Sequence, residues 1–214
     1  MGKLKDELKD LYKEHGGKKK AITEAESWFR RGSASRDKTI ATEASPFRPG
    51  MIYVFRYEKP KYMDELPWWD QNPVVLALDP ADKNDVGINL NLLPSDIRIE
   101  LLDLVYTKLY SKINAQRKGI KSEDARLQGP INQFTYKGAK AYLEKFGYEY
   151  AIRQYIPKLK TKQQVVSYER WGYVAITNLL DETSQQKMVN FSDGDLKKMF
   201  EQYKKNLQNK RSKK

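Results

Sequence analysis

Apolar positions in this chain recur at a helical period first, then at a strand period, then at a helical period again. Leu4, Leu8 and Leu11 stand at i, i+4 and i+7 in an otherwise charged run, which predicts a helix over 3–14 ended by Gly16-Gly17. A second short helix is predicted over 22–31, with Thr23 and Glu26 at capping-box spacing and Trp28-Phe29 as its apolar anchor. Residues 32–48, with Ser33, Ser35, Ser45 and Pro46, read as an extended linker or arm. The period then changes. The β-branched and aromatic run 51–57 lies between Pro49-Gly50 and Lys59-Pro60 and predicts a strand. A loop over 58–72 holds Trp68-Trp69, a buried strand follows at 74–78, and 86–92 alternates with period two as a third strand.

Pro94-Ser95-Asp96 opens a long helix, with Ser95 as N-cap and Asp96 at the positive end of the helix dipole. Ile97, Leu101, Val105, Leu109 and Ile113 repeat every fourth residue, a face expected to pack on the sheet. Residues 114–134 read as a polar connection. Another helix is predicted over 136–146, with Ala139, Leu143 and Phe146 on its apolar side and Gly147 closing it. Residues 148–156 are aromatic-rich and fit either period, while 165–168 and 171–176 read as the last core pieces. Ser192 caps a final predicted helix that runs into the basic tail 210–214. The expected fold class is α+β: a small curled antiparallel sheet, or an SH3-like barrel, packed by helices and carrying helical basic N- and C-terminal extensions. The expected division is a basic helical arm and linker at 1–48, a core domain at 49–180, and a C-terminal helix and tail at 181–214.

Composition narrows the chemistry. The 214 residues include 14 Tyr, 7 Phe and 4 Trp, too many aromatics for a wholly disordered chain. With no cysteine, disulfides, thiolate nucleophiles and sulfur-based zinc sites are excluded. The single histidine, His15, lies beside Gly16-Gly17, far from any apolar pattern, and reads as a solvated helix-end residue rather than a general base. No run reaches the roughly 20 apolar residues of a membrane span. Residues 1–7 lack the apolar core of a signal peptide. No phosphate-binding glycine loop, dinucleotide fingerprint or nucleophile-elbow motif occurs. Neither catalysis, a cofactor, a small-molecule substrate nor a membrane partner is therefore expected. The acidic group Asp64, Glu65, Asp70, Asp79, Asp82 and Asp85 lacks the spacing of a calcium loop and reads as turn-forming aspartates at hairpin ends. A metal-dependent nuclease using Asp70 and Asp79 is the enzymatic rival.

The charge is +12 overall but unevenly spread. Residues 49–93 hold 4 basic and 7 acidic side chains, whereas 94–180 hold 15 and 8. That split predicts one face for a polyanion and another for a protein neighbour. Candidate phosphate contacts are Lys137, Lys140, Lys145, Arg153, Lys158, Lys160 and Lys162, joined by Arg30 and Arg31 beside Trp28-Phe29. Lys158, Lys160 and Lys162 alternate, so an extended chain would project them to one side. Tyr136, Tyr148, Trp68 and Trp69 are candidate rings for stacking on a terminal base, and Phe146 is expected in the core. Without a base-reading signature, recognition is expected to rest on the phosphate backbone or on DNA ends.

Several short motifs occur in a familiar order. These are Trp28-Phe29-Arg30, the run from Pro49 to Phe55, Leu66-Pro67-Trp68-Trp69-Asp70-Gln71-Asn72-Pro73-Val74-Val75, and the run from Gly87 to Pro94. Over about 28–177 the chain resembles the DNA-end protector proteins of T4-like tailed phages. Two places depart from that family's usual residues: Trp68-Trp69 stands for Tyr-Tyr, and Asn91-Leu92 for His-Tyr. The resemblance implies a virion protein that binds the terminus of packaged linear DNA and shields it from host exonuclease in the cytoplasm after injection. It also implies help in head completion, with phage head or neck proteins as partners. The non-enzymatic rival is a structural neck or baseplate protein without DNA-end activity.

Overall fold

The computed structural model describes residues 3–34, 40–42, 47–58, 70–78, 85–117 and 135–177, with side chains left aside at 31–34, 40–42 and 108–117. The helices are α1 (Lys3–Glu14), α2 (Lys18–Ala34), α3 (Ser95–Arg117), α4 (Tyr136–Glu144) and α5 (Trp171–Ile176). The strands are β1 (Ile40–Thr42), β2 (Ile52–Tyr57), β3 (Val74–Ala77), β4 (Asp85–Asn89), β5 (Ile152–Tyr155) and β6 (Lys160–Val166). They form one antiparallel sheet in the order β1-β6-β2-β3-β4-β5.

Among the described residues no ladder joins the edge strand β5 to β1 or to β6, so the sheet is not closed into a barrel. It is nevertheless curled. Four strand spacings separate β5 from β6, about 19 Å in a flat sheet. The connection between them is only 156–159 and includes a 3-10 turn, Pro157–Leu159. The sheet therefore bends until the Tyr57 hydroxyl accepts the Ile156 N–H at 3.2 Å and the Tyr57 and Tyr155 rings meet at 5.3 Å. The fold is α+β, with a small curled sheet packed by helices.

Alternation along the strands sorts side chains into two cores. Ile52, Val74, Leu76, Val86, Ile88 and Val166 face the helices and join Leu4, Leu8, Trp28, Leu101, Leu102, Leu143 and Trp171. Tyr53, Phe55, Tyr57, Val75, Ala77 and Tyr155 face the other way and enclose Phe47 in a small aromatic core. There Phe47 stacks on Tyr53 at 4.6 Å, and Phe55 and Tyr155 meet edge to face at 5.2 Å. Gly87 belongs to β4 because nothing larger fits. A Cβ there would lie 2.2 Å from Val75 Cγ1 and 2.8 Å from the Leu76 carbonyl oxygen.

Two charged side chains tie the helices together from inside. Asp103 of α3 accepts the Leu4 N–H at 2.9 Å and the Lys5 N–H at 3.3 Å, so a carboxylate from another helix satisfies the first turn of α1. Arg98 donates to the carbonyls of Thr177 (2.6 Å), Ala175 (3.2 Å) and Leu90 (3.4 Å), clamping the end of α5 to the start of α3. Burial lowers the Arg98 pKa to about 10, which still leaves it charged at neutral pH.

Several elements depart from expectation for local reasons. The N-terminal segment is docked on the core through Leu4, Leu8, Ala21, Ala25 and Trp28 and does not stand off as an arm. Helix α2 begins at Lys18, and Thr23 lies inside it, its hydroxyl donating back to the Lys19 carbonyl. The linker supplies β1, which pairs with β6, and Phe47 of the aromatic core. The third strand ends at Asn89, whose side chain accepts the Asn91 N–H and turns 90–92 into a 3-10 helix. The ambiguous stretch 148–156 is a 3-10 turn at Glu149–Ala151 followed by β5. The Trp68-Trp69 loop and the expected helix and tail at 181–214 lie outside the described residues.

Candidate nucleic-acid interface

Residues 135–162 form a continuous described segment containing α4, β5 and the start of β6. It holds seven basic residues, Lys137, Lys140, Lys145, Arg153, Lys158, Lys160 and Lys162, against Glu144 and Glu149. Thr135 starts α4 by accepting the Gly138 N–H with its side chain, and Ala139 and Leu143 bury the inner face. That leaves Lys137 and Lys140 exposed on α4, with Lys145 exposed in the turn after it. Lys140 pairs with Glu144 at 3.5 Å across one helical turn, an exposed contact of little energetic consequence.

The closure of α4 decides which rings face solvent. Gly147 adopts a left-handed φ of 76°. The Tyr148 N–H donates to the Leu143 carbonyl at 3.0 Å and the Gly147 N–H to the Glu144 carbonyl at 3.1 Å. This is a Schellman closure, which brings the residue after the glycine back against the helix. Tyr148 accordingly packs against the main core and lies 5.8 Å from the Tyr150 ring. Phe146 stays outside, 45% exposed. The expectation that Phe146 is core is thus corrected, and Tyr148, a candidate stacking ring, is half-buried. Tyr136 at the other end of α4 is 44% exposed.

The three alternating lysines do not share a side. Lys158 and Lys162 are exposed, but the Lys160 side chain is only 5% exposed and pairs with equally buried Asp85. Its ammonium lies 4.1 Å from the Phe47 ring centroid, capping the aromatic core, so this candidate phosphate contact is internal. The register explains Lys162. Arg56 pairs with Thr161 and Val54 with Gln164, leaving Lys162 and Gln163 together opposite Phe55. This is a β-bulge, and Lys162 takes the left-handed φ of 54° within it.

Of the remaining candidates, Arg153 is half-buried on β5 and Arg30 is exposed on α2. The side chains of Arg31, Trp68 and Trp69 lie outside the described ones. Sequence reasoning missed the exposure of Phe146. The signal available was Gly147, whose closure tucks in the following residue rather than the preceding one.

The acidic rival site finds its described members already engaged. Asp70 accepts the Asn72 N–H at 3.0 Å and hydrogen bonds from the side-chain amides of Asn89 (3.2 Å) and Asn91. Asp85 accepts the Phe47 N–H at 2.9 Å besides pairing with Lys160. Both are buried, and they hold loops and strands together. Burial, with the nearby Asp70 charge adding to it, raises the Tyr155 pKa well above its usual value, so that ring enters the same interior as a neutral phenol. Asn91 is part of this buried knot. Among the described residues no three carboxylate or histidine groups converge as a metal site.

Segment 135–162 thus carries exposed lysines and two exposed rings, while the buried Asp70 and Asp85 are engaged within the fold. The chain belongs to the family of the phage T4 terminal DNA protecting protein, whose family model matches residues 1–190. The match reaches back through α1 and α2, beyond the motifs at 28–177 that carry the resemblance. No curated protein and no solved structure is detectably similar to the chain.

Proposed function

We propose that this protein occupies the ends of linear phage DNA, holding the flanking phosphates with Lys137, Lys140, Lys145, Lys158 and Lys162, and that it protects by coverage without catalysis. The observation that carries the reading is membership of a terminal DNA protecting family along 1–190. The exposure of those five lysines on one chain segment supports it. So does the engagement of Asp70 and Asp85 by hydrogen bonds and an ion pair in the interior. The same reading has the protein ride in the virion, meet head or neck proteins at head completion, and block a host exonuclease in the cytoplasm.

The test compares two nucleases on one linear duplex. An end-dependent exonuclease should be blocked by bound protein while an endonuclease still cuts. Equal protection from both would mean that the protein coats DNA along its length. Protection from neither would favour the structural neck or baseplate reading. Binding to Z phosphates should also give a log–log salt slope of about −0.9Z, so a flat salt response would remove the phosphate contacts altogether.

A further inference from the structure

We propose that Phe146, backed by Tyr142, is the ring on which an unpaired terminal base stacks, so that the preferred ligand is a DNA end carrying at least one unpaired nucleotide. This rests on the end-binding reading above and adds the kind of end.

Phe146 is the most exposed of the large hydrophobic side chains among the described residues, at 45%. It is not loosely placed. The closure at Gly147 fixes the backbone on its C-terminal side, and the Tyr142 ring lies 5.3 Å away. Tyr142 is itself half-buried against the main core, so the exposed ring stands on an anchored one. Such a platform loses little conformational freedom when a flat ligand lands on it.

The charge around it selects the ligand. Lys137, Lys140 and Lys145 are exposed within the same eleven residues, and the single acid among them, Glu144, lies 3.5 Å from Lys140. From α3, Glu100 also lies near the platform, adding to burial in raising the Tyr142 pKa, but it is paired with Lys5. An exposed ring amid cations suits a base whose phosphates need neutralising, and suits an apolar protein surface poorly. The ring geometry selects the end. Tyr142 and Phe146 are inclined at 56°, so they offer one flat face and not a shared floor wide enough for an intact base pair. One such face matches the area of a single base, so an unpaired terminal base covers it more completely than the wider outer face of a blunt terminal pair does.

The experiment uses the full chain with three DNAs: a duplex with a short single-stranded overhang, a blunt hairpin-capped duplex, and a covalently closed circle. A 2-aminopurine at the unpaired terminal position reports stacking by quenching. Phe146→Ala should lower affinity for the overhang by roughly five- to 150-fold and abolish the quenching, leaving affinity for the closed circle unchanged. Phe146→Trp should keep both, and far-UV circular dichroism should show both variants folded, since the side chain is exposed. If Phe146→Ala binds and quenches like wild type, or loses affinity equally for the circle, the inference is overturned while end binding stands. If the wild-type protein itself does not distinguish linear from closed DNA, end binding fails and this inference falls with it.

Discussion

Lys160 and Lys162 are two residues apart on one strand, yet they belong to different regions of the molecule. Lys160 points into the aromatic core, pairs with Asp85 and caps Phe47. Lys162 sits in a bulge and faces solvent. The interior region also holds Asp70, Asp103 and Arg98, each buried and each hydrogen bonded to backbone or amide groups. The outer region holds Lys137, Lys145, Lys158 and Lys162. Net charge along a sequence therefore does not map directly onto surfaces. The acidic block 49–93 is acidic partly because Asp70 and Asp85 are structural, and those two contribute nothing to an acidic face.

The comparison breaks most visibly at Lys160. Lys160→Ala leaves Asp85 buried without its cation, and the expected loss is about 3–5 kcal/mol of stability. The double variant Lys160→Met, Asp85→Asn removes both charges while keeping an acceptor for the Phe47 N–H, so it should lose less than Lys160→Ala alone. Urea unfolding of the two variants checks the order. A Lys160→Ala protein as stable as wild type would return Lys160 to the outer region.

Asp103 tests the interior region at a second place. Asp103→Ala leaves the Leu4 and Lys5 N–H groups without their acceptor in a buried setting. A loss of about 1.5–3 kcal/mol is expected, in the range for hydrogen bonds to a charged group. Hydrogen exchange should rise first in α1, because that helix is held by this contact as well as by Leu4 and Leu8. Protection in α1 unchanged by the substitution would show that apolar packing alone docks it.

The outer region should respond in the opposite way. Lys158→Ala with Lys162→Ala should change stability by less than about 0.5 kcal/mol, as is usual for surface positions. DNA affinity should fall, and the salt slope should flatten by about 0.9 for each phosphate no longer neutralised, or roughly 1.8 for two. Fluorescence anisotropy across a salt series reads both. A slope equal to the wild-type value would place the phosphate-binding surface elsewhere on the chain.

The sequence made much of the scaffold legible and little of the division between these regions. Helix α1, helix α4 and strands β2 and β3 follow from periodicity and turn residues, because local patterning alone determines them. The docking of α1 was not legible: its partner, Asp103, is a charge on α3 ninety-nine residues from Leu4. Alternation assigned Lys158, Lys160 and Lys162 to one side, but that rule needs an unbroken strand, and here a 3-10 turn precedes β6 and a bulge interrupts it. Phe146 and Tyr148 exchanged places because the glycine closure, not helical period, decides orientation after residue 144. The lysines of α4 were legible as a candidate surface because a helix with Ala139 and Leu143 inside must turn Lys137 and Lys140 out.

A single substitution is the most informative about why Lys162 is a lysine. Its φ of 54° is a conformation that costs a residue with a Cβ about 1–2 kcal/mol, whereas glycine adopts it freely. Against this, glycine has more backbone freedom in the unfolded chain, which costs it about 0.5–1 kcal/mol relative to alanine. Lys162→Gly should therefore leave stability equal or raise it by up to about 1.5 kcal/mol, while removing one cation from the outer region. Thermal unfolding and a DNA salt series on the same protein would show the two effects together. Higher stability with a salt slope flatter by about 0.9 would mean that backbone strain is tolerated there in return for a phosphate contact. Higher stability with unaltered DNA binding would leave the bulge unexplained by function. Lower stability would show that the Lys162 side chain packs usefully on the sheet, which would move it toward the inner region with Lys160.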